Sequence, residues 1–202
     1  MYHFYIWKKN NMYKQLNLDL DINIKQLQKE VLDLYSNKDI LTGEFENQIG
    51  LTYENNNCKN KFADGVGSLD LDYENWTEEE RRAGEPPKPR TRKVAEHDFN
   101  KIVPELKGLY LYEILEHLQH KFNIGRTKLM LSKSKTCLTW HSDSTYRIHI
   151  PIFTQEGCIM VWENCTIHMP EGSLYWADTT KLHTAFNGSF KERIHLVATV
   201  QN

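Results

Sequence analysis

The stretch TWHSDSTYRIHIPI, Thr139 to Ile152, decides how this chain is read. From Tyr146 onward Ile148, Ile150 and Ile152 fall on one side of an extended strand, with Arg147 and His149 on the other. Successive side chains leave a strand on opposite faces, so the two sets see different surroundings. A solvent-facing edge strand satisfies that pattern. So does a strand lining a polar cavity with a metal in it.

The sequence around it is β-rich. TKLML, YRIHIPIF, CIMVW, CTIHM, SLYW, HTAF and RIHLVATV follow one another from Thr127, separated by Gln155-Glu156-Gly157, Glu171-Gly172 and Asn187-Gly188-Ser189. Many short strands between turn signals predict a sandwich or barrel, with jelly-roll and cupin forms among the candidates. Upstream, Ile24, Leu27, Val31 and Leu34 recur at helical spacing over Asp21–Tyr35, with Asp21 or Asn23 as cap. A second helix is expected over Pro104–Phe122, with Leu106, Tyr110, Ile114 and Leu118 as its stripe and Gly108 weakening it. Both stripes read as core packing. Thr77–Lys93 has no apolar periodicity, three prolines and dense charge, and reads as a solvated connection, with a lid over a substrate site as the alternative. The expected architecture is mainly β: a helical and loop-rich region over 1–122, packing on a β core over 123–202.

Bulk properties narrow the function classes. The chain has 202 residues, enough for one sizeable core. A net charge of −2 gives no general attraction to nucleic acid or anionic membrane. No apolar run reaches the roughly 18–20 residues of a membrane span. MYHFYIWKKNNMY lacks the basic start and apolar run of a signal peptide, so a cytoplasmic protein is expected. Cys58, Cys137, Cys158 and Cys165 form no CxxC pair and read as reduced, small and buried.

The polar residues then fall into order. His141 and Asp143, two apart, share a face of extended chain, and His183 opens a later strand. Two imidazoles and one carboxylate suit an octahedral Fe(II) with one face open to a chelating co-substrate and dioxygen. Ten residues past His183, Arg193 opens RIHLVATV and shares a face with His195. An inward guanidinium there can pair a carboxylate of a dicarboxylic co-substrate bidentately. A lone His-x-Asp is a weak signal. Its order, the strand parity and the β context agree, and solvated edge strands would not explain why two strands both read R-I-H. His97, His117, His120 and His168 read as surface or packing histidines.

These residues carry a resemblance. HSD, YRIHIPI, EGSLYWADTTKLH and ERIHLV, between His141 and Val200, resemble the aspartyl/asparaginyl β-hydroxylase and proline hydroxylase family of Fe(II)- and 2-oxoglutarate-dependent oxygenases, most nearly its free-proline-hydroxylase-like bacterial branch. The resemblance implies a double-stranded β-helix, iron held by His141, Asp143 and His183, and Arg193 on the distal carboxylate of 2-oxoglutarate. Arg147 and His149 would lie near the chelating end. It implies, with O2, hydroxylation of an unactivated C–H of a proline, aspartate or asparagine, free or within a polypeptide. Animal members lack the carboxylate ligand that Asp143 supplies here. They also carry a serine upstream that helps hold the distal carboxylate. The corresponding region, LMLSKSK, aligns on Met130 or Leu131, leaving Ser132 in a shifted register or Thr184 as alternatives. Two other classes compete: a cupin-like module that binds a metal or small ligand without turnover, and a cupin isomerase or dioxygenase. Neither needs Arg193. Trp140, Trp162 and Trp176 read as core or as pocket wall, and Arg81, Arg82, Arg90 and Arg92 as a solvated run or a grip on an acidic substrate.

Overall fold

The computed structural model describes residues 12–40, 46–73 and 75–200; the N-terminal stretch read above lies largely outside them. In chain order the elements are β1 (Tyr13–Leu16), α1 (Ile24–Ser36), β2 (Gln48–Gly50), β3 (Thr52–Tyr53), α2 (Glu78–Arg82), β4 (Lys101–Ile102), α3 (Tyr110–Phe122), β5 (Ile124–Ser132), β6 (Thr136–Cys137), β7 (Tyr146–Phe153), β8 (Cys158–Trp162), β9 (Cys165–Ile167), β10 (Leu174–Ala177), β11 (His183–Asn187) and β12 (Arg193–Val200). A six-stranded sheet runs β1-β10-β7-β12-β5-β2, and a four-stranded sheet runs β6-β11-β8-β9. All their pairings are antiparallel. The result is a mainly β jelly-roll of cupin type with a helical layer, as the strand texture predicts. No described helix is long and apolar enough to cross a membrane.

Strand parity sorts the two faces of the large sheet. Ile148, Ile150 and Ile152 of β7, Leu129 of β5, and Ile194, Leu196 and Ala198 of β12 join Leu27 and Val31 of α1 and Leu111, Ile114 and Leu118 of α3 in one core. Burial of such side chains supplies roughly 1.5–3 kcal/mol each. The aliphatic core therefore lies outside the barrel, between sheet and helices, while the opposite face of the same strands looks into the space between the sheets. A smaller cluster of Met160, Trp162, Met169, Tyr175 and Ala177 closes one side, with Tyr13 stacked on Trp162 at 6.1 Å.

The helical expectations hold with one correction. Helix α1 starts where predicted, with the Asn23 side chain accepting from the Gln26 N–H at 3.3 Å. The second helix does not run from Pro104: a 3-10 turn covers Pro104–Leu106, and α3 begins at Tyr110. Between them Gly108 adopts φ +94°, a left-handed conformation that breaks the helix path and that glycine tolerates best. Leu109 supplies no side-chain cap, and Glu30 of α1 takes over, accepting from the N–H groups of Tyr110 (3.0 Å) and Leu111 (2.9 Å). An acceptor at a helix N-terminus satisfies donors that have no partner within the helix. The region before residue 123 also contributes strands: β1 extends the sheet beside β10, and β2 beside β5.

The charged connection is less featureless than its composition suggests. Glu78–Arg82 forms a short helix with a Thr77/Glu80 capping box, and Arg82 and Arg92 pair with Glu78 and Glu54. Cys58 and Cys158 are buried as expected, whereas Cys165 is half-buried and Cys137 is exposed at the two-residue edge strand β6.

One close approach links fold to site. A 3-10 turn at Glu96–Asp98 packs on β5 where Gly125 has no side chain; a Cβ there would lie 2.5 Å from the Glu96 carbonyl oxygen and 2.8 Å from Thr199 Oγ1. Gly125→Ala is expected to destabilise the protein by about 1–3 kcal/mol through overpacking, read by urea unfolding. A variant within error of wild type would show that the turn shifts freely.

Candidate metal centre

His141 and His183 face each other through a narrow backbone pair: His141 N–H donates to His183 O at 3.0 Å, and His183 N–H to His141 O at 2.9 Å. Asp143 N–H donates to Thr179 O at 2.8 Å, and Thr179 Oγ1–H to Thr145 O at 2.7 Å, so the short segment before β7 is pinned to the turn before β11. This backbone lattice gathers side chains that are far apart in sequence. One ligand atom from each of His141, Asp143 and His183 lies within 4.8 Å of the others, the one such His/Cys/Asp/Glu group among the described residues.

Each imidazole is oriented by a main-chain carbonyl. His141 Nδ1 lies 2.7 Å from Thr139 O, and His183 Nδ1 lies 2.9 Å from Lys181 O. The carbonyls can only accept, so Nδ1 carries the proton in both rings and Nε2 is left as a lone-pair donor. Burial pushes His183 below the usual histidine range, which favours the neutral, ligating form. Asp143 Oδ2 lies 3.9 Å from His183 Nε2.

The triad opens on a cavity of about 270 Å³ between the sheets. Arg126, Lys128, Met130 and Ser132 line it from β5, Arg147 and His149 from β7, and Arg193, His195 and Val197 from β12, with Met160 and Ala185 on the opposing sheet. At one end Arg193 is buried, its Nε–H directed at His195 Nε2 (2.9 Å). Burial lowers its pKa to about 10, and among the described residues no carboxylate pairs with it. The register sets Ser132 directly opposite Arg193, in the cavity wall, and Met130 opposite His195. Thr184 is not in that wall; its hydroxyl donates to Leu138 O at 2.7 Å.

Arg147 is engaged differently. Its two terminal nitrogens donate to the two carboxylate oxygens of Glu96, both at 2.9 Å, and Nη2 also lies 3.2 Å from Asp143 Oδ1. Burial alone would raise the Glu96 pKa; the charge of Arg147 and hydrogen bonds from Thr145 and Arg147 hold it below the ordinary carboxylate range. Arg126 lies 3.5 Å from the same carboxylate and donates to the Gly65 and Gly67 carbonyls. Lys128, whose Nζ donates to Gln48 Oε1 at 2.9 Å, is pushed well below the usual lysine range by burial and by Arg126 and Arg147. Sequence reading passed over Glu96, Arg126 and Lys128. For Arg126, Lys128 and Ser132 a signal existed, since alternation along GRTKLMLS places them on one face; for Glu96 there was none.

Trp140, Trp162 and Trp176 take no part in the cavity wall. Trp162 is core, with Nε1–H donating to Asp178 O at 2.8 Å; Trp176 packs on Tyr146, and Trp140 is 51% exposed. His149 is buried, with neither ring nitrogen partnered among the described residues, and burial, then Arg193 and Arg147, lower its pKa to about 3. His195 is shifted the same way, chiefly by burial. These rings stay neutral in the folded protein below the pH at which they charge in the unfolded chain, so acid favours unfolding. For His149 this means that the stability of the metal-free protein should fall between about pH 6.5 and pH 3 by about 1.4 kcal/mol per pH unit. His149→Gln should remove one histidine's worth of that slope in urea unfolding at several pH values; an unchanged slope would mean His149 is already protonated.

A family model described as aspartyl/asparaginyl beta-hydroxylase matches residues 97–202, just over half of the chain. Similar solved structures include a cupin domain from Bordetella pertussis Tohama I (15% identity, 38% of this chain and 81% of that one, TM-score 0.34). A 2OG-Fe(II) oxygenase family oxidoreductase from Burkholderia pseudomallei is 12% identical over 44% of this chain and 47% of that one, TM-score 0.34. The viral collagen prolyl hydroxylase of Paramecium bursaria Chlorella virus-1, solved with 2OG, is 16% identical over 45% and 66%, TM-score 0.34. The sequence match, which spans the Asp143 loop, His183 and Arg193 alike, is the one that assigns the chain: it belongs to the aspartyl/asparaginyl β-hydroxylase family.

Proposed function

We propose that this protein is an Fe(II)- and 2-oxoglutarate-dependent hydroxylase acting on an unactivated C–H of an amino acid, free or within a polypeptide. One observation carries the reading: a His-Asp-His triad and a buried arginine with no carboxylate partner line the same cavity. The donor set fits a divalent iron with open positions, and the guanidinium fits a dicarboxylate whose other end reaches that metal. A site holding only a structural metal would leave Arg193 a buried charge with nothing to neutralise it, at a cost of several kcal/mol.

Iron, 2-oxoglutarate and dioxygen together supply the oxidising chemistry, coupling decarboxylation to succinate with insertion of one oxygen atom into the substrate C–H. The chain's own residues prepare the site. His141 and His183 present Nε2 because Thr139 and Lys181 carbonyls hold the opposite nitrogens. Arg193 binds the distal carboxylate, and the Ser132 hydroxyl, opposite it in register, is placed to donate a second bond. His149, Met130, Leu138 and Val197 wall the cavity and exclude bulk water, which strengthens the charge pairing inside. The substrate enters from a broader groove that shares Glu96, Asp143, Arg147 and Thr199 with the cavity and is edged by Asp70, Lys93 and His97.

Anaerobic addition of Fe(II) and then 2-oxoglutarate to the metal-free protein tests this directly. A weak visible charge-transfer band is expected only when both are present; bound metal without the band would favour a cupin-like binding module. His141→Ala and Asp143→Ala should each abolish Fe(II)-dependent succinate release while leaving the circular-dichroism spectrum intact, and retained turnover in both would sink the assignment. Arg193→Ala should raise the 2-oxoglutarate requirement about ten- to hundredfold, the effect of losing a charge-assisted bond worth about 1.5–3 kcal/mol. An unchanged requirement would move the co-substrate elsewhere.

A further inference from the structure

Glu96 lies one residue before the stretch matched by the family and has no task in the proposed chemistry. Its side chain is nevertheless only 11% exposed and reaches the cavity from a turn outside the barrel strands. It accepts from both terminal nitrogens of Arg147, from Thr145 Oγ1 at 2.8 Å and from Ser144 Oγ at 3.2 Å. Two carboxylates flank one guanidinium fork. Glu96 takes it bidentately, while Asp143 receives a single contact, Oδ1 at 3.2 Å from Nη2. The other oxygen of Asp143, Oδ2, faces His183 Nε2 at 3.9 Å.

We infer that Glu96 is a positioning residue for the metal: by occupying the Arg147 fork it keeps Asp143 out of a closed ion pair and leaves Oδ2 directed at the other ligand atoms. The inference rests on the reading of His141, Asp143 and His183 as a metal centre. Removing the Glu96 charge would leave the Arg147 guanidinium buried and uncompensated, which favours any carboxylate within reach. Without the Glu96 charge, the nearest remaining carboxylate is Asp143, already in contact with Nη2. A bidentate Arg147–Asp143 pair would occupy both ligand oxygens and compete with the cation. The 3-10 turn that carries Glu96 is fixed by its close approach to Gly125, so the carboxylate is presented at a set distance.

The test is Mn(II) binding to the metal-free protein, followed by electron paramagnetic resonance of free Mn(II). Glu96→Gln should bind at least about tenfold more weakly than wild type, the range found when groups that orient metal ligands are removed. Glu96→Gln/Arg147→Gln should recover most of that loss, because no cation then competes for Asp143. Wild-type affinity in the single variant, or a double variant as weak as the single, would overturn the inference; the second result would make Glu96 a structural strut. Should Glu96→Gln fail to fold, Arg147→Gln alone decides: removing the competitor should leave Mn(II) binding at least as tight as in wild type, and a tenfold loss would count against the proposal. Failure of the metal reading itself is separately visible, since wild type would then bind no Mn(II).

Discussion

Everything in this molecule depends on central strands that are buried on both faces and carry opposite chemistry on each. In Arg147–Ile150 of β7 and Arg193–Leu196 of β12 the residue type alternates because the surroundings do. One face meets the aliphatic layer of α1 and α3, and the other meets the cavity. A slip of one residue in β7 would bury Arg147 and His149 among the helices and turn Ile148 and Ile150 toward the cavity, and a slip in β12 would do the same to Arg193 and His195 and to Ile194 and Leu196. The register is therefore held by the hydrophobic effect and by the cost of burying unpaired charge together. The helices are thus part of the site's physics. They let the barrel interior remain polar by taking the apolar burial outside it.

A polar interior has to be balanced. Arg126, Arg147, Lys128 and Arg193 face the cavity against Glu96 and Asp143. Glu96 sits between Arg147 and Arg126, which accounts for three of these groups, and Lys128 is relieved by desolvation toward its neutral form. Arg193 is different: its contact among the described residues is His195, a ring that is itself kept neutral. Its buried charge is the feature on which the proposed binding of a dicarboxylate rests. The unpartnered nitrogens of His149 point the same way, since polar atoms this deep are ordinarily satisfied by protein or by something bound.

How much of this was legible beforehand depends on the range over which each feature is encoded. Alternation in YRIHIPIF and RIHLVATV and the 3.6-residue stripe of α1 are carried by residues near one another, and His141 and Asp143 by a short motif; His183 is legible only by its residue type and order, and the structure brings it beside the other two. Periodicity starts the second helix at Pro104, nearly two turns before Tyr110, because the stripe continues past Gly108 and carries no record of backbone hand. The choice among Met130, Leu131 and Ser132 is one of register, and only the β5–β12 pairing sets Ser132 opposite Arg193.

What the amino-acid sequence determined by itself was the local grammar: which stretches extend, which face of each is apolar, and which residue types can hold a metal and a carboxylate. What only the tertiary structure decided was who meets whom across long separations. Glu30 caps α3 from 80 positions away, Glu96 reaches Arg147 across 51, and β1 and β2 join a sheet whose other strands begin at Ile124. Such pairs leave no periodic trace along the chain. They form because burial in a common interior removes water from both partners at once, and only there does a carboxylate become the necessary complement of a particular guanidinium or helix end.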